Sequence, residues 1–185
     1  MELLLSIRPV LAIFVSLTAA VLILCLRQRA NLRDTVSVAA AVLKFLIVIS
    51  LAPLVLAGGT HDLTLFEVLP GVAFAFRVDA LGMVFATVSS LLWILAALYS
   101  IGYMRSQNEH AQTRFFAAFA VSLSAAVGGA FAANLFTLVI FYEVLSLVTY
   151  PLVYHKEDST SWAGSRRYMV YLVGASKSLL LAALA

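Results

Sequence analysis

The chain is dominated by long apolar runs, each close to or above 20 residues and separated by short segments that hold most of the charge. About 20 consecutive apolar residues are what an α-helix needs to cross the hydrocarbon core of a bilayer. Only 11% of the 185 residues are charged, whereas a soluble domain has roughly a quarter. Because so few polar groups could not cover a water-exposed surface, the sequence predicts an all-α membrane protein.

The apolar runs predict about six transmembrane helices in one membrane domain, residues 1–185. Between Arg114 and His155 the only charge is Glu143, and this stretch of 40 residues is twice as long as one span. Asn134 follows several small residues and is the most polar point for a turn, so the stretch is divided there. The predicted helices cover about 9–26, 35–57, 80–104, 115–133, 135–154 and 168–185.

The basic residues predict the orientation of the chain. With the N-terminus outside, the cytoplasmic segments carry eight basic residues and the outer segments two, as the positive-inside rule expects. We therefore expect a multi-pass protein of the bacterial inner membrane, whose first helix is retained rather than cleaved as a signal peptide. The eight are Arg27, Arg29, Arg33, Arg105, Arg114, Lys156, Arg166 and Arg167, and the two are Arg8 and Arg77.

The long outer segment, about 58–79, contains the runs LTLFEVL and VAFAFRV on either side of Pro70-Gly71. Partial alternation of apolar and polar residues around a Pro-Gly turn favours a short β-hairpin on the outer face of the membrane. An irregular loop is the alternative.

The sequence contains no motif for a redox cofactor or a nucleotide. It has no P-loop, no GxGxxG, no CxxC and no HExxH, and its single Cys25 lies in an apolar run. His61, His110 and His155 lack the spacing of metal ligands and are expected to be solvated. We predict no catalytic residue, no cofactor, no metal site and no nucleic-acid partner.

Glu143 is the strongest candidate for a functional residue. A charged side chain at the centre of a membrane helix costs roughly 2.5–3.5 kcal/mol, so such residues usually have a role. Ser146 and Tyr150 follow at helical spacing and give Glu143 a polar face. The alternative is a helix–helix hydrogen bond without a role in transport.

Two lysines also fall at membrane depth. At 1.5 Å per residue, Lys177 lies roughly 14 Å and Glu143 roughly 16 Å into consecutive antiparallel helices. An intramembrane pair between them is therefore geometrically open, although Lys177 could instead extend its stem towards the interface. Lys44 lies at similar depth without a polar face, which favours a structural role.

Four stretches carry a resemblance to a known family. The motifs D-A-L-G, Y-S-I-G-Y-M and F-Y-E-V-L-S occur in them in a specific order and spacing. Together they resemble the antiporter-like subunits shared by respiratory complex I (NADH-quinone oxidoreductase) and the multisubunit Mrp-type Na⁺/H⁺ antiporters, and Phe-Tyr-Glu favours a D-like Mrp subunit. The stretches are FRVDALGMVFATVSSLLWILAALYSIGYMR (76–105), RFFAAFAVSLSAA (114–126), NLFTLVIFYEVLSLVTYPLVYHK (134–156) and SRRYMVYLVGAS (165–176).

The resemblance implies that the chain is the N-terminal part of a larger subunit with two inverted repeats, each carrying a half-channel. In the family, the glutamate matching Glu143 is a proton-site residue coupled to a lysine one helix beyond residue 185. Lys177 departs from the pattern, because an uncharged residue is expected there, and it is a candidate substitute partner.

We therefore expect a subunit that moves H⁺ or Na⁺ within a multisubunit membrane complex, with other membrane subunits and the bilayer as partners. The expected ion-translocation residues are Glu143, Lys177, Ser146 and Tyr150. The alternative is a non-conducting scaffold subunit. A quinone-reducing enzyme is disfavoured because no cofactor ligands are found, and the sequence leaves open both the ion and any coupling to electron transfer.

Overall fold

The computed structural model describes the backbone of residues 2–184 and the side chains of 7–178. Residues 1 and 185, the outer limits of the predicted domain and of its sixth helix, lie outside the described residues. The predicted all-α architecture with one short hairpin is confirmed. The elements are α1 Glu2–Cys25, α2 Ala30–Ile49, α3 Ala52–Leu56, β1 His61–Leu69, β2 Val72–Val78, α4 Ala80–Ser106, α5 Gln112–Ala130, α6 Leu135–Val153 and α7 Ser159–Leu184.

Five segments of the described chain are long and apolar enough to cross a membrane: Ile7–Cys25, Ala30–Leu56, Ala80–Ser106, Gln112–Ala130 and Leu135–Val153. The sixth predicted helix is present as α7 but begins at Ser159 rather than near residue 168. Its start is stabilised by Asp158, whose carboxylate accepts a hydrogen bond from the Ser161 amide at 2.6 Å. This earlier start places Arg166 and Arg167 inside the helix, which makes it less apolar than the other five.

The second predicted helix is interrupted near its end. α2 stops at Ile49, and the short α3 starts again at Ala52 with Pro53 in its first turn. Proline has no amide hydrogen, so Pro53 cannot donate to the carbonyl of Ile49 and the helix breaks there. The Arg8 guanidinium donates to the Ser50 carbonyl at 3.0 Å and so binds an acceptor that the break leaves exposed.

Small residues let the helices approach closely. α1 packs mainly on α5 and α2, and α5 packs on α6. A methyl group at Gly82 would lie 2.4 Å from the Ala130 carbonyl oxygen, and one at Gly128 would lie 2.3 Å from the Phe141 ring. Such small-residue contacts are typical of helix packing in membranes, where apolar side chains gain little by leaving lipid.

The hairpin pairs β1 with β2 in antiparallel register, from His61 opposite Val78 to Leu69 opposite Val72. Gly71 has a φ of +83°, which a residue with a side chain would adopt only with strain. The prediction of a hairpin around Pro70-Gly71 is confirmed, and the alternative of an irregular loop was wrong.

The hairpin is fixed to the connection between α5 and α6. The Arg77 amide donates to the Phe131 carbonyl at 2.7 Å, and the Ala133 amide donates to the Ala75 carbonyl at 3.0 Å. The Ala75 amide donates to the Thr137 hydroxyl at 3.1 Å, and the Asn134 side chain donates to the Ala73 carbonyl at 2.7 Å. Asn134 is also the N-cap of α6, so the turn predicted at this residue both starts the helix and holds the hairpin.

The opposite end of the bundle, here called the basic end, comprises the end of α1, the start of α2, the α4–α5 loop and the α6–α7 loop. Arg33 and Arg105 both bind the Asp34 carboxylate there, at 2.8 and 2.9 Å. Arg114 pairs with Glu157 and donates to the His155 carbonyl. The structure thus gathers the arginines of three predicted cytoplasmic segments at one end of the bundle, away from the hairpin.

The distribution of basic residues predicts which side each end faces. After Cys25, which is exposed, is replaced by alanine, single cysteines in 27–34, 105–114 and 156–167 should react with an impermeant thiol reagent only from the cytoplasmic side. Cysteines in 58–79 should react only from outside. Labelling of 156–167 from outside would contradict the orientation.

Candidate ion-translocation site

Glu143 lies near the middle of α6 and meets α7 through two polar groups. The Ser176 hydroxyl donates to Glu143 Oε1 at 2.8 Å, and the Lys177 ammonium lies 3.2 Å from Oε2. The Glu143 side chain is 20% exposed and that of Lys177 is 55% exposed. The structure therefore brings together the two residues whose depths suggested a pair, and adds Ser176 as a neutral donor.

Ser146 and Tyr150 take different partners from Glu143. The buried Ser146 hydroxyl donates to the Tyr142 carbonyl within α6 at 2.8 Å. The Tyr150 ring stacks on Tyr154 with centroids 6.1 Å apart. Among the described residues neither hydroxyl is hydrogen-bonded to Glu143, so the polar face predicted from helical spacing is a set of nearby groups rather than a connected network.

The interface between α6 and α7 is held by polar contacts at two levels. Besides the Glu143 contacts, the Thr149 hydroxyl shares a hydrogen bond of 2.7 Å with the Tyr168 hydroxyl. α7 packs chiefly on α6. Inside a bilayer, interhelical hydrogen bonds of this kind are each worth about 0.6–2 kcal/mol. Much of what positions α7 is therefore the same chemistry that surrounds the carboxylate.

Lys44 forms a second polar site that the sequence undervalued. Its side chain is fully buried, and its ammonium donates to the Ser16 hydroxyl at 2.9 Å and to the Leu123 carbonyl at 2.6 Å. The ammonium also lies 5.5 Å from the centre of the Trp93 ring, within the range of a cation–π interaction.

The Lys44 site joins α1, α2, α4 and α5, and it shows no ion pair with an acidic side chain in the described part of the chain. A lysine in the middle of an apolar span was the available signal. Its partners could not be identified from sequence, because one is a backbone carbonyl and the others lie on helices whose neighbours were unknown.

Comparisons with known proteins give the same relationship as the motifs. A family model described as NADH-Ubiquinone oxidoreductase (complex I), chain 5 N-terminus, matches residues 71–116. The chain is 30% identical over 116 residues to the A/B subunit of a probable K(+)/H(+) antiporter of Rhizobium meliloti, covering 62% of this chain and 11% of that protein. It is 30% identical over 114 residues to the A subunit of the Na(+)/H(+) antiporter of Alkalihalophilus pseudofirmus, covering 60% and 12%.

A solved structure shows the same fold. In the Mrp complex from Dietzia sp. DQ12-45-1b, one chain superimposes with a TM-score of 0.81 at 23% identity, covering 98% of this chain and 34% of that one. The chain thus spans about a tenth of the two curated relatives and a third of the structural match.

The fold and the site define a multi-pass membrane subunit with an acid–lysine pair between two of its helices. The predicted resemblance to the antiporter-like subunits of Mrp antiporters and complex I is confirmed. The two curated relatives are named as A-type subunits, whereas Phe-Tyr-Glu had favoured a D-like one.

Replacing Lys44 by methionine, which has a similar length, tests whether this lysine serves stability. The Leu123 carbonyl also accepts the normal α-helical bond and the Ser16 hydroxyl donates to the Ile13 carbonyl, so Lys44→Met strands neither group. It also removes the cost of a buried charge, and we expect it to leave the free energy of unfolding unchanged or to raise it by about 1–2 kcal/mol.

The measurement is unfolding of the purified chain in detergent, with the exposed Lys156→Met as control. A loss of stability well beyond that of Lys156→Met would show that the ammonium is a structural link between the four helices.

Proposed function

We propose that this chain is part of a subunit that moves protons or monovalent cations across the bacterial inner membrane within a multisubunit complex. The observation that carries the proposal is the contact of Glu143 with Lys177 and Ser176 inside the helical bundle. A carboxylate at this level is unfavourable unless it is paired, and a paired carboxylate can gain and lose a proton as its partner moves.

Glu143 is the proposed ion-binding group and Lys177 the proposed electrostatic switch. With the ammonium at 3.2 Å, the ionised carboxylate is stabilised; with the ammonium withdrawn, the protonated form is favoured. Lys177 is more than half exposed and sits on a long stem, so it can move away without disturbing the packing. Ser176 would keep the carboxylate oriented during that movement.

Ser146 and Tyr150 are proposed to line the path on the same helix. Both hydroxyls lie on α6 towards the basic end from Glu143, where they can bind water that reaches the carboxylate. Pro151 supports such a path, because it cannot donate to the Leu147 carbonyl and leaves that acceptor open to water.

Partner subunits are proposed to cover the exposed apolar faces together with lipid. Leu81 and Tyr99 of α4 and Val170 and Tyr171 of α7 are all at least 70% exposed. The relatives are named as subunits of antiporters, which supports assembly with other membrane proteins. Their names include both K(+)/H(+) and Na(+)/H(+) exchange, so the proposal extends to protons and to monovalent cations.

The test is Glu143→Gln, which keeps the size and hydrogen-bonding capacity of the side chain but removes its titratable charge. In inverted membrane vesicles that contain the assembled complex, we expect cation-driven proton movement to fall by at least about tenfold. Glu67→Gln on the exposed face of the hairpin is the matched control and should retain activity. Co-purification of the partner subunits should be equal in both variants.

Lys177→Met separates a translocating site from a structural contact. If the pair works as a unit, Lys177→Met should lower transport and add little to Glu143→Gln in the double variant. Full transport by a correctly assembled Glu143→Gln complex would contradict the proposal and favour the non-conducting scaffold.

A further inference from the structure

At the basic end, two loops that are distant in sequence bring three metal-ligating side chains together. Glu109 and His110 lie in the α4–α5 loop, and His155 follows the end of α6. Glu109 Oε2 lies 3.8 Å from His110 Nδ1 and 3.6 Å from His155 Nε2. The ligand atoms of all three lie within 4.8 Å of one another. The expectation that the histidines are solvated was wrong for His155, whose side chain is only 13% exposed.

The state of His155 is unusual for a buried imidazole. Neither of its ring nitrogens has a hydrogen-bond partner among the described residues, although both are buried. Leaving a buried polar atom without a partner costs roughly 1–3 kcal/mol, so such an atom calls for a bound water or ion. The stacked His110 ring, 5.1 Å away, and the edge-on Phe115 ring, 5.8 Å away, hold the imidazole in place.

We propose that Glu109, His110 and His155 form a binding site for a divalent transition metal of the zinc class. Two imidazoles and one carboxylate are a ligand set that Zn²⁺ takes with one position left for water. Bonds of about 2.0–2.2 Å in a tetrahedral arrangement separate ligand atoms by roughly 3.4 Å. The two measured Glu109–histidine distances already approach that value.

The two histidines have complementary roles in the site. Burial and the neighbouring His110 lower the pKa of His155, so its ring is neutral and has a lone pair for a metal. The side chain of His110 is half exposed and can turn towards the ion, which closes the remaining gap.

Nearby charges do not exclude a cation. Arg114 contributes positive charge beside His155, but its guanidinium pairs with Glu157 and holds the pKa of that carboxyl below its usual value. Glu157 therefore stays ionised and offsets the arginine, while the Glu109 carboxylate supplies the negative charge of the site. A bound metal would tie the α4–α5 loop to the end of α6, the helix that carries Glu143.

The experiment uses the full chain, without a polyhistidine tag, in detergent after treatment with a chelator. Zn²⁺ is titrated against a chromophoric chelator, and one ion per chain should bind. His110→Ala and His155→Ala should each weaken binding by at least about tenfold, and Glu109→Gln should weaken it as well. His61→Ala, on the hairpin at the other end, is the matched control and should bind normally.

His110→Ala is decisive because this side chain is half exposed and its removal leaves the packing intact. His155→Gln provides a second variant that keeps polar atoms in the buried position, and circular dichroism verifies the helical content of each protein. The proposal is overturned if the wild-type chain binds no stoichiometric Zn²⁺. Binding by His110→Ala and His155→Gln as tight as that of His61→Ala would overturn it equally.

Discussion

The hydrocarbon core of a bilayer offers no hydrogen bonds, so every polar group inside the bundle needs a partner from the protein itself. This constraint explains where the charged residues of the spans are found. Lys44 is bound by a hydroxyl, a carbonyl and an aromatic face, and Glu143 by a hydroxyl and an ammonium. The first arrangement joins four helices around a fixed cation. The second joins only two, and one of its members is partly exposed, which leaves it able to change.

α6 connects the functional regions of the molecule. Thr137 near its start holds the hairpin, Glu143 near its middle binds α7, and His155 just beyond its end lies against the α4–α5 loop. α6 is nevertheless little buried apart from Thr137 and Ser146, because much of its surface faces outwards. A change in the contacts of Glu143 would therefore be transmitted along a helix that is anchored at both ends and open along its side.

The sequence predicted those parts of the structure that depend on local pattern. Hydropathy located the helices, Pro70-Gly71 located the hairpin, and depth along consecutive helices predicted the meeting of Glu143 and Lys177. The break before Pro53 was also readable, since the absence of its amide hydrogen is a local property. The environments of Lys44 and His155 were not, because they depend on which helices and loops become neighbours, and a partner such as the Leu123 carbonyl is present at every position of a chain.

The central claim is that Glu143 changes its protonation state while the complex works. Infrared difference spectroscopy on the assembled complex tests this directly, by following the C=O stretch of a protonated carboxyl group when an ion gradient is applied. The account predicts a band that appears in the wild-type complex and in Glu67→Gln, and that is absent from Glu143→Gln. An identical band in Glu143→Gln, or no carboxyl band in a wild-type complex that is transporting, would contradict it.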